Sequence, residues 1–285
     1  MQEDLRIGIV LAGGMTKGVY QLGCLRAISE HFGPEQIVAI SASSIGVPIG
    51  YSFLTGQLDT VEAAWKSIDI KRDGRFFPKY SGNQDILKQV GALVGEGDEL
   101  SASFYATLWN FSKRNVEYSL FNPLSQQKRR EQMVASISIP IFGKKQRLDG
   151  ATYYDGAFLD NIPVYPLVDA DLDVIFCIYF DRRDYLFENS DFDQRIVKLN
   201  LFPINSCLME NCFFKPDKVD EMITYGYLYC KEKLEKLVLG KTREEIYRAL
   251  LHERENHKVE KRLTADTLMT ALNRVAKVFA KRIVK

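Results

Sequence analysis

The sequence predicts an α/β protein with a parallel sheet, and three observations near its start carry that prediction. Residues 5–11, LRIGIVL, are a continuous apolar run that stops at a glycine cluster, the pattern of a strand buried on both faces. From Lys17 to Phe32, Val19, Leu22, Ile28 and Phe32 recur around Arg26 and Glu30, a helix that Gly33-Pro34 brings to an end. A second strand, Ile37 to Ser41, runs into Ala42-Ser43-Ser44-Ile45-Gly46, and a second apolar helix extends to Leu54. Strand–turn–helix repeated in this way implies a right-handed crossover between parallel neighbours.

The middle of the chain, 56–130, reads as mostly helical and polar, with helices expected at 59–69, 83–94 and 101–114. Strand signals return at Ala135 to Ile139, which ends at Pro140, at Thr152 to Tyr154 before a turn, and at Val174 to Phe180. Beyond 215 the chain reads as helical and charged. No internal repeat or low-complexity tract marks a boundary, so the expected division is one domain over 1–237 and a helical C-terminal extension over 238–285.

Of the 285 residues, 46% are hydrophobic and 26% charged, enough for a substantial core. A formal net charge of +1 supplies no field for nucleic acid, which is excluded as a partner. No stretch approaches the roughly 18 apolar residues of a membrane span. No secretory leader is visible, so the cytoplasm is the expected compartment. The five cysteines include no CxxC pair and the three histidines lack zinc-ligand spacing, so no Cys/His zinc cage is expected and the thiols read as buried or incidental.

Chemistry concentrates at the two strand-to-helix turns. The first, Gly13-Gly14-Met15-Thr16-Lys17-Gly18, is not a Walker loop, because Lys17 is followed by Gly18 rather than a hydroxyl residue. Nor does it fit G-x-G-x-x-G. The remaining chemical reading is an oxyanion hole, with backbone N–H groups at a helix N-terminus facing a developing negative charge. The second turn, Ala42-Ser43-Ser44-Ile45-Gly46, is a variant of the G-x-S-x-G nucleophile elbow, whose sharp turn crowds the residues two before and two after the serine. Ser44, between Ala42 and Gly46, meets that demand. Ser43 would put Ile45 at the crowded position, and Ser41 would lack any glycine. Either turn alone would also serve as a tight connection or an ordinary helix N-cap.

A serine needs a base to take its proton. His252 and His257 fall in a highly charged helical stretch, and His31 lies at the far end of the first helix from the glycine loop, so a histidine triad is not expected. An aspartate acting directly on the serine is the simpler proposal. Two identical triplets offer one, Asp149-Gly150-Ala151 and Asp155-Gly156-Ala157. Asp155 follows the apolar Thr152-Tyr153-Tyr154, whereas Asp149 follows a basic run and looks like a hairpin residue; residue chemistry barely separates them.

Taken together, the glycine loop, the elbow and Asp155-Gly156-Ala157 resemble, in order, the motifs of patatin-like phospholipases. The continuation Asp160-Asn161-Ile162-Pro163-Val164 also resembles the family segment after the aspartate and favours Asp155 over Asp149; Tyr20-Gln21-Leu22-Gly23 and 135–142 are further matches to the family. The resemblance covers roughly residues 5–235. It implies a three-layer α/β/α fold with a mainly parallel central sheet, and hydrolysis of lipid carboxylic esters without metal or cofactor. It also implies Ser44 as nucleophile, Asp155 as base, and N–H groups of Gly13, Gly14 or Met15 holding the oxyanion. Three positions depart from the pattern: Met15 and Ala42 stand where the family has glycine, and Ile45 is bulkier than usual. A positive φ at Met15 would cost on the order of 1 kcal/mol or more. The rival reading is a patatin fold kept for binding or regulation; a nucleotide-binding protein is disfavoured by the missing fingerprints.

A lipid substrate raises the question of membrane contact. Leu268, Leu272, Val275, Phe279 and Ile283 share a helical face beside Arg274, Lys277, Lys281, Arg282 and Lys285. Such a basic amphipathic helix can lie on anionic lipid, although packing on its own domain is the commoner use. Arg75-Phe76-Phe77-Pro78 and Cys212-Phe213-Phe214-Lys215 are further candidates for interfacial contact. The oligomeric state is open.

Overall fold

The computed structural model describes residues 5–68, 84–140, 144–202, 215–255 and 259–262. Its strands are β1 (Ile7–Leu11), β2 (Ile37–Ser43), β3 (Ser103–Asn110), β4 (Asn115–Leu120), β5 (Gln146–Leu148), β6 (Ala151–Asp155), β7 (Val174–Tyr179), β8 (Asp184–Phe187), β9 (Ile196–Asn200) and β10 (Val259–Arg262). Eight of them form one sheet in the order β5-β6-β3-β2-β1-β7-β9, with β4 also on β3, and β8 pairs with β10 in a separate ladder. The half around β1 is parallel, from β3 through β2, β1 and β7 to β9. The other half, β3 with β4, β5 and β6, is antiparallel. Every residue of β1 and of β7 is buried, as expected for central strands.

The longer helices are α1 (Gly18–Ser29), α2 (Gly46–Leu54), α3 (Leu58–Lys66), α4 (Gln84–Ala92), α5 (Gln126–Ser136), α6 (Val219–Leu237) and α7 (Arg243–Glu255). Ile7, Ile9, Leu11, Phe104 and Phe176 face the core shared with α1, α2 and α6. Val10, Ala12, Ile175, Cys177 and Tyr179 face the opposite layer. That second layer is thinner, made of the segment around Ile162, Leu167 and Leu172 and the single helical turn Ser190–Asp193. The fold is thus three-layered. Helices α1 and α6 press backbone to backbone: a Cβ on Gly23 would lie 2.0 Å from the Ile223 carbonyl oxygen, and one on Gly226 would lie 2.1 Å from that of Tyr20.

Several expectations need correction. Residues 101–114 are not a helix; their core is β3, in which Phe104, Ala106, Leu108 and Asn110 are buried on one face and Thr107 is buried on the other. Ala135 to Ile139 is not a strand. Ser125 caps α5 through its side chain, the helix continues to Ser136, and an irregular segment leads to Pro140. The extension is not wholly helical either, since α7 is followed by β10. Nor does it stand apart as far as Arg262, because Ile246 and Leu250 join the main core and β10 pairs with β8. The Leu268–Ile283 stripe, Arg75-Phe76-Phe77-Pro78 and Cys212-Phe213-Phe214 lie outside the described residues.

One feature of β3 positions the site. Its residues Ser103–Thr107 pair with β2 and Leu108–Asn110 pair with β6, while β4 occupies the other edge across both stretches. Strand β6 therefore continues the line of β2 and runs towards it. Ser43, the last residue of β2, lies opposite Thr107, and Asp155, the last of β6, lies opposite Leu108. The two strand ends meet at adjacent positions.

Candidate active site

At that meeting point the Ser44 hydroxyl donates a 2.6 Å hydrogen bond to Asp155 Oδ2. Ser44 turns the chain from β2 into α2 with φ 53°, a left-handed conformation that a non-glycine residue holds only at some cost. The crowding expected of an elbow is present. A Cβ on Gly46 would sit 2.6 Å from the Leu11 carbonyl oxygen, and Ala42 is fully buried. Ile45 is accommodated because Gly18 has no side chain where the Ile45 Cγ2 atom lies. The neighbouring serines are differently engaged: Ser43 donates to the Asp160 carbonyl at 3.0 Å, and the Ser41 hydroxyl is buried without a partner.

Asp155 is 2% exposed, and its Oδ1 accepts the Ala157 N–H at 2.9 Å. Burial pushes its carboxyl up to about 7, against the pull of the bonds from Ser44 and Ala157. A carboxyl with that affinity ionises near neutrality, and in its ionised form it can accept a proton from a hydroxyl that donates to it. Asp149 is placed elsewhere. It occupies the β5–β6 turn with φ 49°, followed by Gly150 at φ 81°, and pairs on the surface with Lys128 at 3.0 Å. No histidine among the described residues hydrogen-bonds Ser44 or Asp155.

The glycine loop closes over this pair, but its three members are not equivalent. Gly13 is the point of contact: a Cβ there would lie 2.8 Å from that of Ser44. Its N–H, however, donates to the Asn161 carbonyl at 3.1 Å, and its own carbonyl accepts Asn161 Nδ2 at 3.1 Å. This two-point clamp engages the N–H of Gly13, one of the three expected oxyanion donors. The N–H groups of Gly14 and Met15, at the start of a 3-10 turn, donate to no acceptor among the described residues. Met15 has φ 55°, the costly conformation foreseen for a non-glycine residue there.

Sequence reasoning missed the supports of the site. Asp160 is buried between Arg262 Nη2 at 2.8 Å and the Tyr118 hydroxyl at 2.7 Å, while Arg262 Nη1 also donates to the Ile162 carbonyl. Asp160 and Asn161 were visible only as motif context, and nothing in the sequence links Arg262 to them across a hundred residues. Lys17 is also largely buried, its amine 4.8 Å from the Phe202 ring centre, and burial holds it below the ordinary lysine value.

Ser44 opens onto an apolar cleft. Its walls are Ile45, Pro48 and Ile49 of α2, residues of α3 and α4, and Ile137 and Ile139; besides Ser44, Gln89 is the one polar residue among the described residues lining it. Among the described residues no cluster of three or more histidine, cysteine, aspartate or glutamate side chains could hold a metal ion.

The patatin-like phospholipase model matches residues 9–168, more than half of the chain, from β1 through both turns and both aspartates. The chain belongs to the patatin-like phospholipase family. Among curated members, it is 26% identical over 186 residues to a lysophospholipase NTE1 of Chaetomium globosum, an alignment covering 60% of this chain and 12% of that protein. It is 27% identical over 179 residues to an uncharacterized NTE family protein of Mycobacterium tuberculosis, covering 59% of this chain and 48% of the relative. The chain thus spans less than half of either relative. Among solved structures, VipD from Legionella pneumophila aligns with TM-score 0.49 at 14% identity, covering 88% of this chain and 74% of that one. The type III effector protein ExoU aligns with TM-score 0.43 at 12% identity, covering 82% and 53%. The patatin-like segment contains Ser44, Asp155, Asp160 and Asn161, whereas Arg262 lies beyond it.

Proposed function

We propose that this chain is a serine acyl hydrolase that cleaves carboxylic esters of lipids through Ser44 and Asp155. The observation that carries the reading is the 2.6 Å bond from Ser44 to a buried, near-neutral carboxylate at the mouth of an apolar cleft. Asp155 accepts the Ser44 proton as Oγ attacks the ester carbonyl, and the N–H groups of Gly14 and Met15 face the oxygen that becomes negative. Collapse of this tetrahedral species expels the alcohol, which takes the proton from Asp155, and leaves the acyl group on Ser44. Water then attacks the acyl carbonyl as Asp155 takes its proton, and collapse releases the acid while Asp155 returns that proton to the Ser44 oxygen. The cleft is walled almost entirely by aliphatic side chains, the polarity that an acyl chain needs. The lysophospholipase name carried by the fungal relative makes a lysophospholipid the first substrate to try.

The test is hydrolysis of lysophosphatidylcholine and a short p-nitrophenyl ester, together with labelling by a fluorophosphonate. Wild type is expected to turn over and be labelled at Ser44, while Ser44→Ala is inert and unlabelled and Asp155→Asn is slowed by about 10²–10⁴. A wild type as inert and unlabelled as Ser44→Ala would overturn the reading in favour of a binding protein.

A further inference from the structure

We propose that the end of the sheet overhanging Ser44 is a docking surface for an anionic lipid bilayer. Strand β3 outruns β2. With Ser43 opposite Thr107, Trp109 and Phe111 stand about 7 and 13 Å further along the strand direction, on the side where the elbow lies. The Phe111 N–H donates to the Thr152 carbonyl at 2.8 Å, so the overhang stays tied to β6.

The two faces of this overhang differ. Leu108, Leu148 and Tyr153 cluster with Ala135 of α5, and that face is covered. On the other, Trp109 lies opposite Tyr154 and Val116 in the ladders, and Arg147 lies opposite Thr152, so alternation puts all of them on one side. Phe158, three residues beyond Asp155, stacks on Trp109 with ring centres 6.0 Å apart, and Phe111 meets Trp109 and Tyr154 edge-on at 5.3 and 5.7 Å. Phe111 is 51% exposed and Phe158 44%. A four-ring cluster is thus left partly open to solvent beside the site.

The charge around the rings selects the occupant. Lys113, Arg114, Lys144, Lys145 and Arg147 are all exposed at this end. The nearby carboxylates are turned away or paired. Glu117 takes hydrogen bonds from Asn110 and Tyr153 on the covered face, with Lys113 at 3.5 Å, and Asp149 pairs with Lys128. Aromatic rings beside exposed cations, of which Lys113 alone has a carboxylate partner among the described residues, match the boundary between acyl chains and anionic headgroups. This surface stands on the sheet geometry and does not depend on Ser44 being a nucleophile.

The chain has two tryptophans, so Trp65→Phe makes Trp109 the sole reporter. In a Ser44→Ala background, which uncouples binding from turnover, the full chain is mixed with phosphatidylserine–phosphatidylcholine vesicles or pure phosphatidylcholine vesicles. The expected result is cosedimentation with the mixed vesicles, a blue shift of Trp109 emission and its quenching by brominated acyl chains. Lys145→Glu with Arg147→Glu should weaken binding about tenfold or more and remove the phosphatidylserine preference. Phe111→Ser with Phe158→Ser should abolish the blue shift while leaving the circular dichroism unchanged. Vesicle binding without quenching of Trp109, or no binding to either vesicle, overturns the proposal, as would occupation of this face by an acidic protein that blocks no lipid contact.

Discussion

Replacing Asp155 by asparagine separates two consequences of burying this carboxylate. Asparagine keeps the shape and both hydrogen bonds, its carbonyl accepting the Ala157 N–H and its amide donating to Ser44, but it cannot ionise. Burial raises the carboxyl from an ordinary 3.8 to about 7. Each unit is worth about 1.4 kcal/mol, so holding the ionised form inside the protein costs about 4 kcal/mol above neutrality. The sign follows from proton binding. Between those two values the folded chain holds a proton that the unfolded chain has released, so wild type loses stability as pH rises through this window, and above about 7 the loss is complete. Asp155→Asn should therefore be more stable than wild type in urea, with an advantage that grows by about 2 kcal/mol between about pH 5.5 and pH 8.5. The same variant should hydrolyse esters about 10²–10⁴ times more slowly. A stability difference independent of pH would refute the assigned burial cost, and wild-type turnover by Asp155→Asn would refute its role as base.

Other consequences of the geometry can be measured directly. The rate of ester hydrolysis in wild type should fall on the acid side with an apparent midpoint near the Asp155 value of about 7, read from a pH profile of kcat/KM. Met15→Gly removes the cost of φ 55° while keeping the N–H, so thermal unfolding should show a gain of about 1 kcal/mol with hydrolysis retained. Arg262→Ala strands the buried Asp160 carboxylate and should lower stability by about 3–5 kcal/mol in chemical denaturation. Ala64→Trp, on the cleft wall, should slow hydrolysis of long-chain lysophospholipids while sparing a p-nitrophenyl acetate, compared by kcat/KM on the two substrates.

Ser44 could be singled out in the sequence because the reason is local. Strand-to-helix turns crowd their neighbours, and small residues at 42 and 46 betray the crowding without knowledge of anything distant. The first two strands and helices were legible for a similar reason, since central parallel strands need continuous apolar runs. Strand β3 was not, because the buried Thr107 between Ala106 and Leu108 interrupts the alternation with Ser103, Tyr105 and Trp109 and so permits a helical reading. Misreading β3 hides why the aspartate is Asp155. Two identical Asp-Gly-Ala triplets lie six residues apart, one in a hairpin turn and one at a strand end, and only pairing on a shared edge of β3 brings the second against Ser44. The use of each loop N–H was likewise decided in three dimensions, by Asn161 clamping Gly13 from 148 residues away. The sequence by itself determined the α/β plan and pointed to Ser44, because steric and periodic demands act between neighbours along the chain. The approach of Asp155 to Ser44, the burial of its carboxyl and the engagement of the Gly13 N–H were decided by tertiary structure, because burial and hydrogen-bond pairing depend on which distant segments meet.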